Sequence, residues 1–236
     1  MLKKPLWYGI VMIINTNNYK IYKMNKNEIL EKYSTYLLEN GKEPNNVYVF
    51  AKELGMQEDE FYNHFSGFRL MNAELLKKIW DNSENLATSI EGYENMTAKE
   101  QLLNMYFIFF ENLKMNRSLA LQILEKERKL PPTLLLQLKT KFRNFIQTLN
   151  FEEGTLSKKL PENMKSVKGR AQEEVLWNHF ISLLVFWRTD DSPGFEKTDV
   201  YIEKTIDTGF EFAEYRPLRK VTDLGKFLWQ EKFQRS

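Results

Sequence analysis

Residues 47–70 read VYVFAKELGMQEDEFYNHFSGFRL, and this stretch decides the fold. Apolar side chains recur at helical spacing from the start of the stretch to Leu54. Gly55 follows, and glycine readily adopts the left-handed backbone conformation that a tight turn requires. A second apolar pattern over residues 57–64 turns Phe61 toward the first helix. The stretch therefore predicts two short helices joined by a turn.

Helices are also predicted on both sides of this pair. Residues 26–39 place apolar side chains on one helical stripe, and Gly41 is a typical helix stop. A fourth helix is predicted over residues 68–81, with Trp80 on its apolar side. The four helices together predict a small helical head over residues 25–82.

This part of the chain resembles the helix-turn-helix of the TetR family of transcriptional regulators. The residues that carry the resemblance are Ala51, Leu54-Gly55 and the run Phe61-Tyr62-Asn63-His64-Phe65, followed by Ser66 and Leu70. The resemblance implies an all-α, TetR-like fold, in which a three-helix helix-turn-helix head precedes a larger helical ligand-binding and dimerisation bundle. The implied domains are an N-terminal extension over residues 1–24, the head over residues 25–82 and the body over residues 83–236.

In this family the helix-turn-helix contacts DNA, and the resemblance extends that role to particular side chains. The DNA-contacting residues that it implies are Lys52, Gln57, Tyr62, Asn63, His64 and Arg69.

The start of the third helix is acidic, which departs from the family pattern. Residues 58–60 are Glu, Asp and Glu, and Phe68 stands where the family has a lysine. Residues 25–82 hold seven basic and ten acidic side chains, a net charge of −3. Carboxylates at a helix start complement the helix dipole but repel DNA phosphates. An acidic side chain can also accept a hydrogen bond from cytosine N4, so retained and lost DNA binding both stay open.

The rest of the chain is predicted to be helical. Thr97 and Glu100 form a capping-box pattern ahead of an apolar helical face that continues to Leu113. The further predicted helices cover residues 131–149, 171–188, 197–213 and 222–233, and residues 151–170 are predicted to form a long mobile loop. Residues 171–188 are apolar on nearly all sides, which indicates that this helix has neighbours on more than one face.

Two sets of side chains in the body are predicted to be functional. The aromatic residues predicted to line an apolar small-molecule or lipid pocket are Phe107, Phe110, Phe142, Phe145, Trp177 and Phe180. A homodimer is predicted to form through the helices over residues 171–188 and 197–213. The residues predicted to lie in its interface are Leu183, Phe186, Trp187, Ile202, Ile206 and Phe210.

Composition limits the chemistry that this chain can carry. The absence of cysteine excludes disulfides and thiolate metal sites, and His64 and His179 are too few for a histidine-rich metal site. No phosphate-binding glycine loop or catalytic-triad spacing is present, so we expect no enzyme activity, no cofactor and no metal. The apolar run over residues 6–14 is far shorter than a membrane span. We therefore expect a cytoplasmic protein without an integral membrane segment.

Two functions stay open at this stage. The first is a dimeric TetR-like regulator in which an apolar ligand changes the separation of two DNA-binding heads. The second is a TetR-fold protein that no longer binds DNA and instead binds a lipid or isoprenoid, similar to the lipid-binding proteins of coenzyme Q biosynthesis. The helix-turn-helix core favours the first function, and the acidic residues 58–60 favour the second. In the second function, residues 222–229 would form an amphipathic helix that touches a membrane.

Overall fold

The computed structural model describes residues 24–124, 132–151 and 162–214, and over these ranges it contains helices and short turns but no β-strand. In chain order the helices are α1 Lys26–Asn40, α2 Val47–Glu53, α3 Glu58–Tyr62, α4 Phe68–Thr88, α5 Ala98–Met115, α6 Arg117–Leu124, α7 Pro132–Thr148, α8 Glu162–Thr189 and α9 Glu196–Glu214. The predicted all-α fold, with a helix-turn-helix head and a helical body, is confirmed. None of the helices in these ranges is long and apolar enough to cross a bilayer.

Side-chain caps set the starts of α1 and α5. The Asn25 side chain accepts from the backbone N–H of Glu28 at 3.1 Å, and the Glu28 carboxylate accepts from the backbone N–H of Asn25 at 2.8 Å. The predicted Thr97–Glu100 capping box is confirmed by the same reciprocal bonds at 3.3 and 2.7 Å. Each box pairs two backbone N–H groups that a helix start otherwise leaves unsatisfied.

An aromatic cluster fixes the helices of the head against one another. The ring of Phe50 on α2 lies 5.7 Å from Tyr33, 6.2 Å from Phe61 and 5.8 Å from Phe68, measured between centroids. These four rings come from four different helices, so one cluster sets the positions of α1, α2, α3 and the start of α4. Gly55 makes the turn between α2 and α3 with φ of 71°, as the sequence predicted.

Helix α4 joins the head to the body. It was predicted to end at residue 81 but continues to Thr88, so the predicted boundary between residues 82 and 83 falls inside a helix. Its C-terminal half packs between α5 and α7. The predicted end of α4 came too early because residues 82–88 are mostly polar. Ser83 among them is nevertheless buried, and its hydroxyl accepts a hydrogen bond from the Asn112 amide at 2.7 Å.

The body differs from the sequence prediction in two places. The predicted loop over residues 151–170 is wrong from residue 162 onward, because α8 begins at Glu162. That segment is polar, but most of its residues have good helix propensity and extend the apolar helix that follows. The short helix α6 was not predicted, since only Asn116 separates it from α5. The N-terminal residues 1–23 and the predicted helix over 222–233 lie outside the described residues.

Arg117 at the start of α6 holds the end of α8. Its guanidinium carbon lies 4.5 Å from the centroid of the Trp187 ring and 4.1 Å from that of Phe195. Its N–H groups also donate to the backbone carbonyls of Trp187, Arg188 and Asp190 at 3.2 to 3.4 Å. A planar guanidinium can stack and donate several hydrogen bonds at once, which an ammonium group cannot. Arg117 therefore ties α6 to the turn between α8 and α9.

The Asp190 carboxylate caps α9 from the same turn. It accepts from the Ser192 hydroxyl and the Thr198 hydroxyl, each at 2.6 Å, and from both backbone N–H groups at 2.9 Å. Burial alone would raise the pKa of Asp190, but the hydrogen bonds from Ser192 and Thr198 outweigh burial and hold the pKa at about 2. The carboxylate therefore stays ionised and keeps α8 and α9 in their mutual arrangement.

Replacing Arg117 tests the tie between α6 and α8. Arg117→Lys keeps the charge but loses the stacking and at least one carbonyl bond, so the free energy of unfolding should fall by about 1–2 kcal/mol. Arg143→Lys is the matched control, because Arg143 is exposed and pairs with Glu173 at 3.1 Å on the surface. The control should change stability by less than about 0.5 kcal/mol. Urea denaturation followed by circular dichroism measures both, and equal losses would contradict the role of Arg117.

Candidate functional site

The side chains predicted to contact DNA lie along the helix-turn-helix segment. Lys52, Gln57, Tyr62, Asn63 and Arg69 are exposed, whereas His64 is partly buried. The Nε2 atom of His64 is buried and has no hydrogen-bond partner within the described ranges. The segment therefore presents five of the six predicted side chains to solvent. Tyr48 near the start of α2 is 58% exposed on the same segment, although the sequence reasoning did not single it out.

Acidic side chains dominate the outer surface of this segment. Residues 47–69 carry two basic and four acidic side chains, and Glu58 and Asp59 are exposed in the first turn of α3. The Tyr62 hydroxyl donates to the Glu58 carboxylate at 3.3 Å. A tyrosine hydroxyl can also donate to a DNA phosphate, and here Glu58 already accepts the hydrogen bond of Tyr62.

Five of the six residues predicted to line a pocket meet in one buried aromatic cluster. Phe180 on α8 lies at its centre, with ring centroids 5.2 Å from Phe142, 5.9 Å from Trp177, 6.2 Å from Phe110 and 5.6 Å from Trp80. Phe145 joins through Trp80 at 6.0 Å, and Phe107 is partly exposed on α5. These rings pack directly against one another, so in this conformation they form core rather than the walls of an open space.

Tyr106 brings a polar atom into this apolar cluster. Its side chain is 0% exposed, and its hydroxyl has no hydrogen-bond partner in the part of the chain that the structure describes. The ring lies 5.5 Å from Phe180 and stacks on His179 at 5.9 Å. Burial raises the pKa of Tyr106, so the hydroxyl is neutral. Helical periodicity marks position 106 as core but does not show that its hydroxyl lacks a partner.

His179 covers Tyr106 from α8. Its Nε2 atom lies 2.7 Å from the Thr205 hydroxyl of α9, and that hydroxyl donates to the carbonyl of Tyr201 at 2.6 Å. Because the single Thr205 proton is used in that bond, the Nε2 atom of His179 is the donor to Thr205. Burial lowers the pKa of His179 and so favours the neutral ring.

The residues predicted to form the dimer interface divide into two groups. Leu183, Trp187, Ile202 and Ile206 are buried within the protomer, where α8 and α9 pack against the rest of the body. Phe186 and Phe210 are only partly buried. A groove of about 430 Å³ on the accessible surface of α8 and α9 is lined by Phe186, Glu196, Lys197, Val200, Tyr201 and Lys204. We name it the α8–α9 groove.

A helix-turn-helix head whose last helix continues into an all-helical body is the architecture of a class of regulators related to the tetracycline repressor. The family model described as "Tetracyclin repressor-like, C-terminal domain" matches residues 101–228, which is more than half of the chain. This protein belongs to that family and is a TetR-family regulator. A comparison with curated proteins found no match.

The two buried tyrosines predict opposite effects of removing a hydroxyl. The Tyr33 hydroxyl donates to Asn72 Oδ1 at 2.9 Å, so Tyr33→Phe should lower the free energy of unfolding by about 1–2 kcal/mol. Tyr106→Phe removes an unpaired hydroxyl and should leave stability unchanged or raise it by up to about 1 kcal/mol. Urea denaturation of both variants distinguishes the two outcomes. Similar losses in both would show that the Tyr106 hydroxyl is paired in solution.

Proposed function

We propose that this protein is a homodimeric transcriptional regulator that binds DNA through its head and an apolar small molecule through its body. The observation that carries the proposal is that aromatic contacts hold the two helices of the helix-turn-helix in a fixed arrangement. The Phe50 cluster fixes α2 and α3 from within, while Lys52, Tyr62 and Arg69 point to solvent. A rigid, outward-facing segment of this kind is the form in which such heads enter a major groove.

The proposed dimer forms through the α8–α9 groove, with a second copy of this chain as the occupant. Val200 in the groove is 46% exposed, and Val185, which precedes the groove residue Phe186 on α8, is 48% exposed. A two-fold axis brings the same surface of both copies together. Since the groove carries Glu196 as well as Lys197 and Lys204, its charges can pair with those of an identical groove.

Regulation in this proposal acts through the separation of the two heads. Two heads must reach successive major grooves about 34–36 Å apart, so a small change in their spacing abolishes binding. Helix α4 runs from the DNA-binding head into the aromatic cluster, where Trp80 contacts Phe180 and Phe142. A ligand that separates these rings would tilt α4 and move the head.

A second candidate function is a TetR-fold protein that binds a lipid or isoprenoid and no longer binds DNA. The observation that favours it is the exposed acidic turn of α3, in which Glu58 also occupies the Tyr62 hydroxyl. Under this candidate, the carboxylates serve only to stabilise the start of α3 through the helix dipole.

Charge replacement in α3 tests DNA binding. In a gel-shift assay with the DNA upstream of its own gene, the wild-type protein should bind, and less tightly as salt rises. Glu58→Thr combined with Asp59→Lys should strengthen non-specific binding, and its salt dependence should steepen by about one unit for each added phosphate contact. Glu91→Thr with Glu94→Lys makes the same charge change outside the head and should have little effect. Absence of a shifted band for the wild type at low salt would exclude the repressor function and favour the second candidate.

Charges in the α8–α9 groove test the dimer. Val185→Glu combined with Val200→Glu should yield monomers in light scattering, because the interface would then bury like charges. Leu136→Glu is the matched control on α7, where Leu136 is 67% exposed, and it should leave the dimer intact. Trp187 is unsuitable for this test because it is buried in the protomer. If the double variant remains a dimer, the interface lies elsewhere.

A further inference from the structure

The hydroxyl of Tyr106 is exceptional among the buried tyrosines of the described residues. Tyr33, the other fully buried tyrosine, donates to Asn72 at 2.9 Å. Tyr106 is equally buried, yet its hydroxyl has no partner within the same ranges. Leaving a buried polar group unpaired costs free energy, so each such group calls for an explanation. The hydroxyl is thus a hydrogen-bonding group ready for a polar atom that another molecule would supply.

The surroundings of this hydroxyl specify what such a molecule must look like. The Tyr106 ring contacts two flat rings, Phe180 at 5.5 Å and His179 at 5.9 Å with an interplanar angle of 25°. Flat apolar molecules stack well on surfaces of this kind. Burial lowers the pKa of His179, which favours its neutral form.

Lys99, which lies two turns before Tyr106 on α5, already has a charged partner. Lys99 pairs with Asp207 of α9 at 2.8 Å. A carboxylate placed against Tyr106 would lose its hydration, which is costly in an apolar site unless a charged partner replaces it. A neutral acceptor such as a carbonyl oxygen loses much less hydration, and a phenol hydroxyl is a suitable donor to it.

The edge of the cluster beside Tyr106 is bordered by side chains that are only partly buried. His179, which covers the Tyr106 ring, is only partly buried. Leu103, on the same face of α5 one turn earlier, and Phe107 next to Tyr106 are partly buried as well. A molecule that displaces His179 would therefore meet Tyr106 before it meets the deeper rings around Phe142.

We propose that Tyr106 is the hydrogen-bonding residue of the ligand site and that the ligand class is a neutral aromatic molecule with a carbonyl-type acceptor. This inference rests on the proposed function, since it assigns the chemistry of the apolar site in the body. The inference predicts that the site binds neutral carbonyl compounds in preference to fatty acids and other carboxylates. The apolar character of the cluster alone does not predict this preference.

Three probes of nearly the same shape test the assignment on the full-length protein. They are 2-acetylnaphthalene, which has a carbonyl, 2-ethylnaphthalene, which has none, and 2-naphthoate, which carries a charge. In calorimetric titrations, the wild-type protein should bind the ketone about 2- to 10-fold more tightly than the hydrocarbon, the ratio expected for one net hydrogen bond. It should bind the carboxylate at least about 10-fold more weakly than the ketone.

The Tyr106→Phe variant should bind the ketone and the hydrocarbon equally. Tyr93→Phe removes a hydroxyl outside the cluster, from the turn before α5, and should keep the wild-type ratio. The infrared carbonyl band of the bound ketone gives a second readout, since it should shift to lower wavenumber in the wild type and return in Tyr106→Phe. The wild-type preference among the three probes can be measured even if the variant folds poorly.

The possible failures are distinguishable from one another. Equal binding of ketone and hydrocarbon to the wild type would overturn the role of Tyr106 and leave the apolar ligand site standing. A ketone preference that persists in Tyr106→Phe would also overturn it. If none of the three probes binds, both this inference and the proposed ligand site fail. DNA binding and dimerisation are measured separately and would be unaffected by that result.

Discussion

The contact between Trp80 of α4 and the rings of the body is the interaction on which the rest of the structure depends. The indole lies 5.5 Å from Phe109, 5.9 Å from Phe142 and 5.6 Å from Phe180, so α4 is held by α5, α7 and α8 together. Its N–H group donates to Glu84 one turn later, at 3.1 Å. Helix α4 has 21 residues, or about 31 Å at 1.5 Å per residue, and carries the head at its N-terminal end. The packing of Trp80 and the contact between α1 and α6 together set the orientation of the head.

The head combines a rigid core with a surface charge that is unfavourable for DNA binding. The Phe50 cluster fixes its helices through stacking and edge contacts, which do not depend on the outer side chains. The carboxylates of residues 58–60 stabilise the start of α3, which is only five residues long. The same carboxylates repel phosphates, so one feature supports the fold and opposes DNA binding. Fold and function therefore make separate demands on α3, and family membership does not decide between the two candidate functions.

Polar groups in the body show the same separation between structure and function. Asp190 and Arg117 are completely engaged, and they hold the turn between α8 and α9 against α6. Tyr106 is not engaged, although it is buried more deeply than either. Arg117 and Asp190 act through bonds made within the protomer, whereas we explain the unpaired Tyr106 hydroxyl by a ligand that binds to it.

The sequence by itself determined most of the helices, the Thr97–Glu100 cap and the helix-turn-helix. Local patterns are sufficient there, because Thr97 meets Glu100 three residues later and Phe61 faces Phe50 across a short turn. Most aromatic residues of the cluster could also be identified from the sequence, since helical periodicity predicts which side chains are buried. Only the tertiary structure decided which buried residues belong to the protomer core, as Leu183, Trp187, Ile202 and Ile206 do, and which side of α8 and α9 remains accessible. Periodicity predicts that a helix face is covered but not what covers it. Whether the Tyr106 hydroxyl has a partner depends on how α5 packs against α8, whose His179 lies far along the chain, and no spacing in the sequence records that.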